Sequence, residues 1–318
     1  MSARLLEVRG LQVSYRAGHS SSMHTAVDGV SFDLEAGESL GLVGESGSGK
    51  SSLARALLRL VPARGIALFE GLDLLRLQGA ALRATREHLQ IIFQDPLAAL
   101  DPRMRIGEIV GEPLREFQPQ LSAAQRRHQV LRMLERVGLD SGHLDRYAHE
   151  FSGGQAQRIG IARALMLKPR LLICDEPVAS LDVSITAQIV NLLADLRSEM
   201  ALSLLFIAHD LATVRQVCER VMVLYRGQVM EIGTREQLYA ASRHPYTRAL
   251  LGAVPVPDPS HARPAVLSST PGDDRLASAR GCVFRQRCPQ AFGRCSEETP
   301  ALRTTEGGLA ACHLPEIR

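Results

Sequence analysis

The sequence contains no tryptophan, and aromatic residues fill only 4 % of its 318 positions. Its core must therefore be packed from aliphatic side chains. The 45 % hydrophobic content is enough for one large domain with an appendage, or for two domains. No stretch approaches the roughly 18–20 consecutive apolar residues that span a bilayer. The N-terminus lacks the apolar segment of a secretory signal. The chain is therefore expected to be soluble and cytosolic. Excess charge of one sign is missing too: 37 Lys and Arg against 34 Asp and Glu give +3. The basic residues are scattered, which argues against a nucleic-acid partner. Internal repeats and low-complexity tracts are absent. There are six cysteines, and four of them follow residue 280. In a reducing compartment that clustering points away from structural disulfides.

What is present is concentrated in Gly44-Glu45-Ser46-Gly47-Ser48-Gly49-Lys50-Ser51, followed by Ser52. It meets every fixed position of the phosphate-loop pattern G-x-x-x-x-G-K-[ST]. Ser39–Val43 reads as a buried strand entering it and Ser52–Leu60 as a helix leaving it. Glycines let successive N–H groups face inward, and the helix N-terminus behind them favours phosphate oxygens. Lys50 is expected on the β- and γ-phosphates and the Ser51 hydroxyl on Mg²⁺. The alternative is a glycine-rich turn with an accidental lysine, which the strand–loop–helix setting disfavours.

Other strand ends carry polar groups where an α/β sheet binds ligands. Leu89–Phe93 ends at Gln94, which suits Mg²⁺ or a water but could equally be a turn residue. Leu171–Cys174 ends at Asp175-Glu176. There Asp175 is placed to hold Mg²⁺ and Glu176 to act as general base on a water. Leu204–Ala208 ends at His209, either a γ-phosphate contact or a structural histidine. Tyr15, at the end of an early strand, either stacks on a purine or is half-buried packing. Between residues 96 and 158 helical periodicity replaces strands, which reads as an inserted helical subdomain with a capping box at Ser122-Ala123-Ala124-Gln125. Ser152-Gly153-Gly154-Gln155 opens another helix as a second anion-type site, or as a plain N-cap. Ser180-Leu181-Asp182 is a tight loop before an amphipathic helix. Leu211–Val221 is expected to be helical, and Arg226-Gly227 to turn a hairpin. From Val254 the prolines mark an extended linker.

In this order the motifs resemble the ATP-binding-cassette (ABC) ATPases over roughly residues 4–250. The resemblance implies an α/β, P-loop NTPase nucleotide-binding domain: a RecA-like core sheet, an antiparallel β subdomain and the inserted helical subdomain. It assigns Tyr15 to adenine stacking, Gln94 to coupling and Mg²⁺, and His209 to the γ-phosphate. Ser152–Gln155 and Asp182 would then complete the nucleotide site of a partner. Ile91–Pro96, His149–Gln155, Ile173–Pro177 and His244-Pro245-Tyr246-Thr247 are similar to the oligopeptide/dipeptide importer ATPases, most of all their F-type subunit. So is the tail Gly281–Arg285 with Arg287-Cys288-Pro289. Phe151 for Leu is usual in that subfamily, while Ala156 departs from it without touching the anion site. The implied partners are a second ATPase subunit (sister or identical), two transmembrane permeases and an extracytoplasmic solute-binding protein. The implied place is the cytoplasmic face of the cell membrane.

The division expected is an ATPase domain over 4–254 and a C-terminal extension over 255–318. The tail spacing Cys282-x5-Cys288-x6-Cys295-x16-Cys312 suits a [4Fe–4S] cluster, which some relatives carry, or Zn²⁺, or unligated packing thiols. The substrate is expected to be peptides. Nickel, glutathione or another solute is the alternative. A DNA-repair or ribosomal cassette is disfavoured, since there is neither a coiled-coil insertion nor a second set of motifs.

Overall fold

The computed structural model describes residues 4–16, 23–179, 181–253, 280–306 and 308–315. The proline-rich stretch expected as a linker lies largely outside them. The chain opens with β1 (Arg4–Arg16) and β2 (Met23–Glu35), an antiparallel pair. Gly10, at φ 57, shifts the register of β1 without ending the strand. Then come β3 (Ser39–Val43), α1 (Lys50–Leu57), β4 (Arg64–Phe69) and β5 (Leu72–Asp73). Next are α2 (Gly79–His88), β6 (Leu89–Ile92), α3 (Ile106–Phe117), α4 (Ala123–Arg136) and α5 (Gly153–Leu165). The second half runs β7 (Leu171–Asp175), α6 (Val183–Met200), β8 (Ser203–Ala208), α7 (Leu211–Val217), β9 (Arg220–Tyr225) and β10 (Gln228–Thr234). It closes with α8 (Arg235–Ala241), α9 (Pro245–Gly252), α10 (Gly293–Glu297), β11 (Arg303–Thr305) and β12 (Gly308–Ala310).

Two sheets result. The smaller has the order β2-β1-β4-β5 and the larger β11-β12-β10-β9-β3-β8-β7-β6. From β6 to β9 the larger sheet is parallel, so β3 lies near its middle between β8 and β9. Every residue of β3, β7 and β8 is buried, as a strand covered on both faces must be. Alternate residues feed two cores. Leu40, Leu42, Ile173, Leu205 and Ile207 face α1 and the antiparallel sheet. Val43, Leu172, Cys174, Leu204 and Phe206 face α5, α6 and α7. All the parallel strands end on one edge, so Gly44, Asp175 and His209 emerge side by side.

The inserted helices behave as their patterns predict. The Ser122–Gln125 box is closed in both directions: the Gln125 N–H donates to Ser122 Oγ (3.3 Å), and the Ser122 N–H donates to Gln125 Oε1 (2.8 Å). The helix expected over 211–221 is shorter. It stops at Val217 because Arg220 already pairs with β3 and β10.

The tail is the larger surprise. β12 pairs antiparallel with β10 through Glu231↔Ala310 and Ile232↔Leu309, extending the main sheet. Phe284 is 1 % exposed and packs among Tyr225, Tyr246 and His244 at ring separations of 5.3–5.7 Å. No sequence periodicity signals strands of three residues. Their pairing comes from the partner edge offered by β10. Because Phe284 belongs to the core, Phe284→Ala should cost about 3–5 kcal/mol in urea unfolding. A cost below about 1 kcal/mol would show that the tail merely rests on the ATPase core.

Candidate active site

The loop after β3 is shaped by what surrounds it. Gly49 has φ 104, and a side-chain carbon there would stand 2.1 Å from the Ala26 carbonyl oxygen. Only glycine fits such an approach. The Gly227 N–H, from the β9–β10 turn, donates to the Ser48 carbonyl (2.8 Å). Ser48 Oγ is itself buried with no hydrogen-bond partner, a hydroxyl suited to a phosphate oxygen.

Lys50 is only 4 % exposed. Its ammonium donates to the carbonyls of Gly44 (2.8 Å) and Glu45 (3.2 Å) and lies 3.5 Å from Glu176 Oε1. The Ser51 hydroxyl donates to Asp175 Oδ1 at 2.8 Å. Burial raises the Asp175 pKa, the Ser51 hydroxyl pulls it back, and neighbouring Glu176 raises it again. A divalent cation would offset the charge of such a crowded carboxylate. Ser51 and Asp175 offer the hard oxygen donors that Mg²⁺ takes.

Glu176 sits at φ 49, a backbone conformation costly for a non-glycine residue. Its N–H donates to the Ile207 carbonyl (3.0 Å), which holds it against β8. Its Oε2 accepts from Gln94 Nε2 (3.2 Å) and lies 3.6 Å from His209 Nδ1. Lys50, Ser51, Gln94, Asp175, Glu176 and His209, drawn from three strand ends and α1, thus meet at one point. Tyr15 is joined to them through its hydroxyl, which donates to Ser52 Oγ at 3.2 Å.

Ser152–Gln155 and Asp182 do not join this cluster. Ser152 and Gln155 close a capping box on α5 (3.1 and 3.3 Å). Asp182 caps α6 by accepting from the Ile185 N–H (2.9 Å), which lowers its pKa. These two groups are neighbours: a side-chain carbon on Gly154 would meet Ile185 Cγ2 at 2.6 Å. They form a second, exposed face. Ser180, expected in the same loop, lies outside the described residues.

The tail cysteines lie near one another, Cys295, Cys312 and Cys288 all acting electrostatically on Cys282. Among the described residues no group of three or more His, Cys, Asp or Glu is arranged to hold a metal ion. All four thiols are free, and Cys282 and Cys295 are buried. Burial raises the pKa of Cys282, Cys288 and Cys312, and the neighbouring tail thiols raise it further. Among the described residues the iron–sulfur and zinc readings find no support.

The ABC transporter family matches residues 27–179, and the oligopeptide/dipeptide transporter C-terminal region matches 230–295. The chain is 50 % identical to the oligopeptide transport ATP-binding protein OppF of Haemophilus influenzae, across 93 % of this chain and 92 % of that one. It is 52 % identical to OppF of Escherichia coli, across 90 % and 87 %. The chain belongs to the ABC transporter family. Within it the chain is an ATP-binding subunit of the oligopeptide-importer type, and an ATPase. Solved cassettes share the fold. The ATP-binding cassette MJ0796, solved as a post-hydrolysis dimer with ADP and Pi, superposes with TM-score 0.66 at 26 % identity, over 72 % of this chain and 98 % of that one. The cbiO1 protein of Clostridium perfringens gives 0.65 at 26 %, over 75 % and 91 %.

In this importer ATPase the sequence reading missed what holds the phosphate loop from outside. The buried Glu231 carboxylate accepts from the N–H groups of Arg243 (2.6 Å) and His244 (3.0 Å). That anchors the start of α9 and so Tyr246, whose hydroxyl accepts the Glu45 N–H at 2.9 Å. The motif His244–Thr247 was the available signal, but it carried no role. His244 is 1 % exposed, and its Nδ1 accepts the Tyr246 N–H. Burial pushes its pKa down to about 4. The fold thus favours neutral imidazole. Its contribution is complete above the ordinary pKa near 6.5 and is lost as pH falls through about 4. Between those values the wild type should lose about 3 kcal/mol more stability than His244→Asn, which keeps an acceptor but does not titrate. Equal losses in pH-dependent unfolding would contradict the assignment.

Proposed function

We propose that this chain binds ATP on Gly44–Ser51 and hydrolyses it with Glu176 as general base, as one of two cassettes that power peptide uptake through membrane permeases. The observation that carries this reading is the Glu176 carboxylate. It is shared by Lys50, Gln94 and His209 at the edge where Ser51 meets Asp175. The N–H groups of residues 44–51 and the Lys50 ammonium suit the phosphates, and Tyr15 suits the base. Ser51, Asp175 and Gln94 would hold Mg²⁺, whose charge offsets that of the triphosphate and makes the γ-phosphate a better electrophile. Glu176 then orients and deprotonates a water while Gln94 and His209 fix its carboxylate.

The exposed pair of Ser152–Gln155 and Asp182 supports completion of a partner's nucleotide site. Val183, beside Asp182, is 88 % exposed, as a residue awaiting a partner surface would be. The partner is a sister ATPase or a second copy of this chain. A cleft of about 360 Å³, lined by Phe93, Pro96, Leu100, Glu112, Phe117 and Arg163, opens beside Gln94. It suits a coupling segment of a permease, so that closure of the cassettes changes access to the membrane subunits. Among the described residues no helix is long and apolar enough to cross a membrane. The chain then works peripherally, at the cytoplasmic face, with a solute-binding protein supplying peptide from the other side. Residues 4–254 carry the ATPase chemistry and 255–318 the extension.

Glu176→Gln keeps the shape of the side chain and removes its basicity. ATP affinity should stay within about twofold while turnover falls at least about a hundredfold. Wild-type turnover by that variant in the reconstituted transporter would contradict Glu176 as base.

A further inference from the structure

Glu45 is held at each of its polar groups. Its N–H goes to the Tyr246 hydroxyl (2.9 Å) and its carbonyl accepts from Lys50 (3.2 Å). Its carboxylate is gripped by Arg287, Nη1 to Oε2 at 2.7 Å and Nη2 to Oε1 at 2.8 Å. Arg287 comes from the tail. Its guanidinium lies 5.8 Å from the Tyr225 ring centroid and 5.9 Å from that of Phe284, and Nη1 reaches the Tyr225 hydroxyl at 3.5 Å. Those rings also contact Tyr246. A segment 242 positions away therefore grips the second residue of the phosphate loop.

A carboxylate inside a loop that receives a triphosphate works against binding, because like charges repel at close range. Tyr246 cannot answer this, since it is neutral. Arg287 can, and its planar fork fixes direction as well as charge. We propose that Arg287 is a positioning residue for nucleotide binding: it neutralises Glu45 and fixes the phosphate loop, so that the C-terminal segment sets the loop's affinity for ATP. This rests on the reading of Gly44–Ser51 as the phosphate site.

The test is Mg²⁺–ATP binding to the full-length chain carrying Arg287→Gln, Glu45→Gln or both, with Lys50→Ala alongside. Arg287→Gln should weaken ATP binding about tenfold and AMP binding far less, because the repulsion scales with phosphate charge. Glu45→Gln should rescue it, bringing the double variant within about twofold of Glu45→Gln alone. In the transporter the same loss should appear in KM, with kcat little changed. Should Arg287→Gln fail to fold, Arg287→Lys provides the same comparison with a smaller loss and the same rescue. ATP affinity within twofold of wild type, or a loss that Glu45→Gln does not relieve, would overturn the role of Arg287. Unchanged ATP binding in Lys50→Ala would instead overturn the phosphate-site reading itself.

Discussion

The Lys50 ammonium is almost fully buried, and a buried cation must be surrounded by acceptors or become very costly. Its acceptors are the Gly44 and Glu45 carbonyls and the Glu176 carboxylate. Meeting that demand joins the loop after β3 to the end of β7, two strands away across β8. Glu176 can arrive only by adopting positive φ, and its N–H is tied to β8 in doing so. Once it is there, Gln94 from β6 and His209 from β8 converge on its other oxygen. One buried charge thus ties the loop after β3 to the end of β7. The triphosphate offers the same ammonium a stronger set of acceptors. On the proposed reading, binding is an exchange of partners that releases Glu176 to act on water.

The loop itself depends on supports that are remote in sequence. Gly227 holds the Ser48 carbonyl, Tyr246 the Glu45 amide and Arg287 the Glu45 carboxylate. Behind Tyr246 stands buried Glu231 on β10, the strand that β12 of the tail also pairs with. The C-terminal segment is in this sense part of what holds the loop. It fixes the outer wall of the loop, while β7 and β8 fix the inner one.

Much of this was legible in the sequence because buried parallel strands write themselves as apolar runs. Ser39–Val43, Leu171–Cys174 and Leu204–Ala208 were visible, and the loops that follow them meet at the candidate site. The phosphate loop was legible because only glycine and lysine at fixed spacing do that work. Gln94 and His209 were weak alone and gained meaning only through the order of motifs. The Arg287–Glu45 pair was hidden, since nothing local links a tail arginine to a loop glutamate. The three-residue strands of the tail lacked any period to detect. The cysteine spacing left ligation and packing both open; the folded tail buries Cys282 and Cys295 and half-buries Cys288 and Cys312, with no metal-holding group of three among the described residues.

The most direct measurement is a structure of the Glu176→Gln chain with ATP and Mg²⁺. The account predicts the Lys50 amine on the β- and γ-phosphates, withdrawn from the Gly44 and Glu45 carbonyls, with Ser51 on the metal and Glu45 still gripped by Arg287. Nucleotide bound elsewhere, or Lys50 still on those carbonyls beside a bound triphosphate, would contradict it.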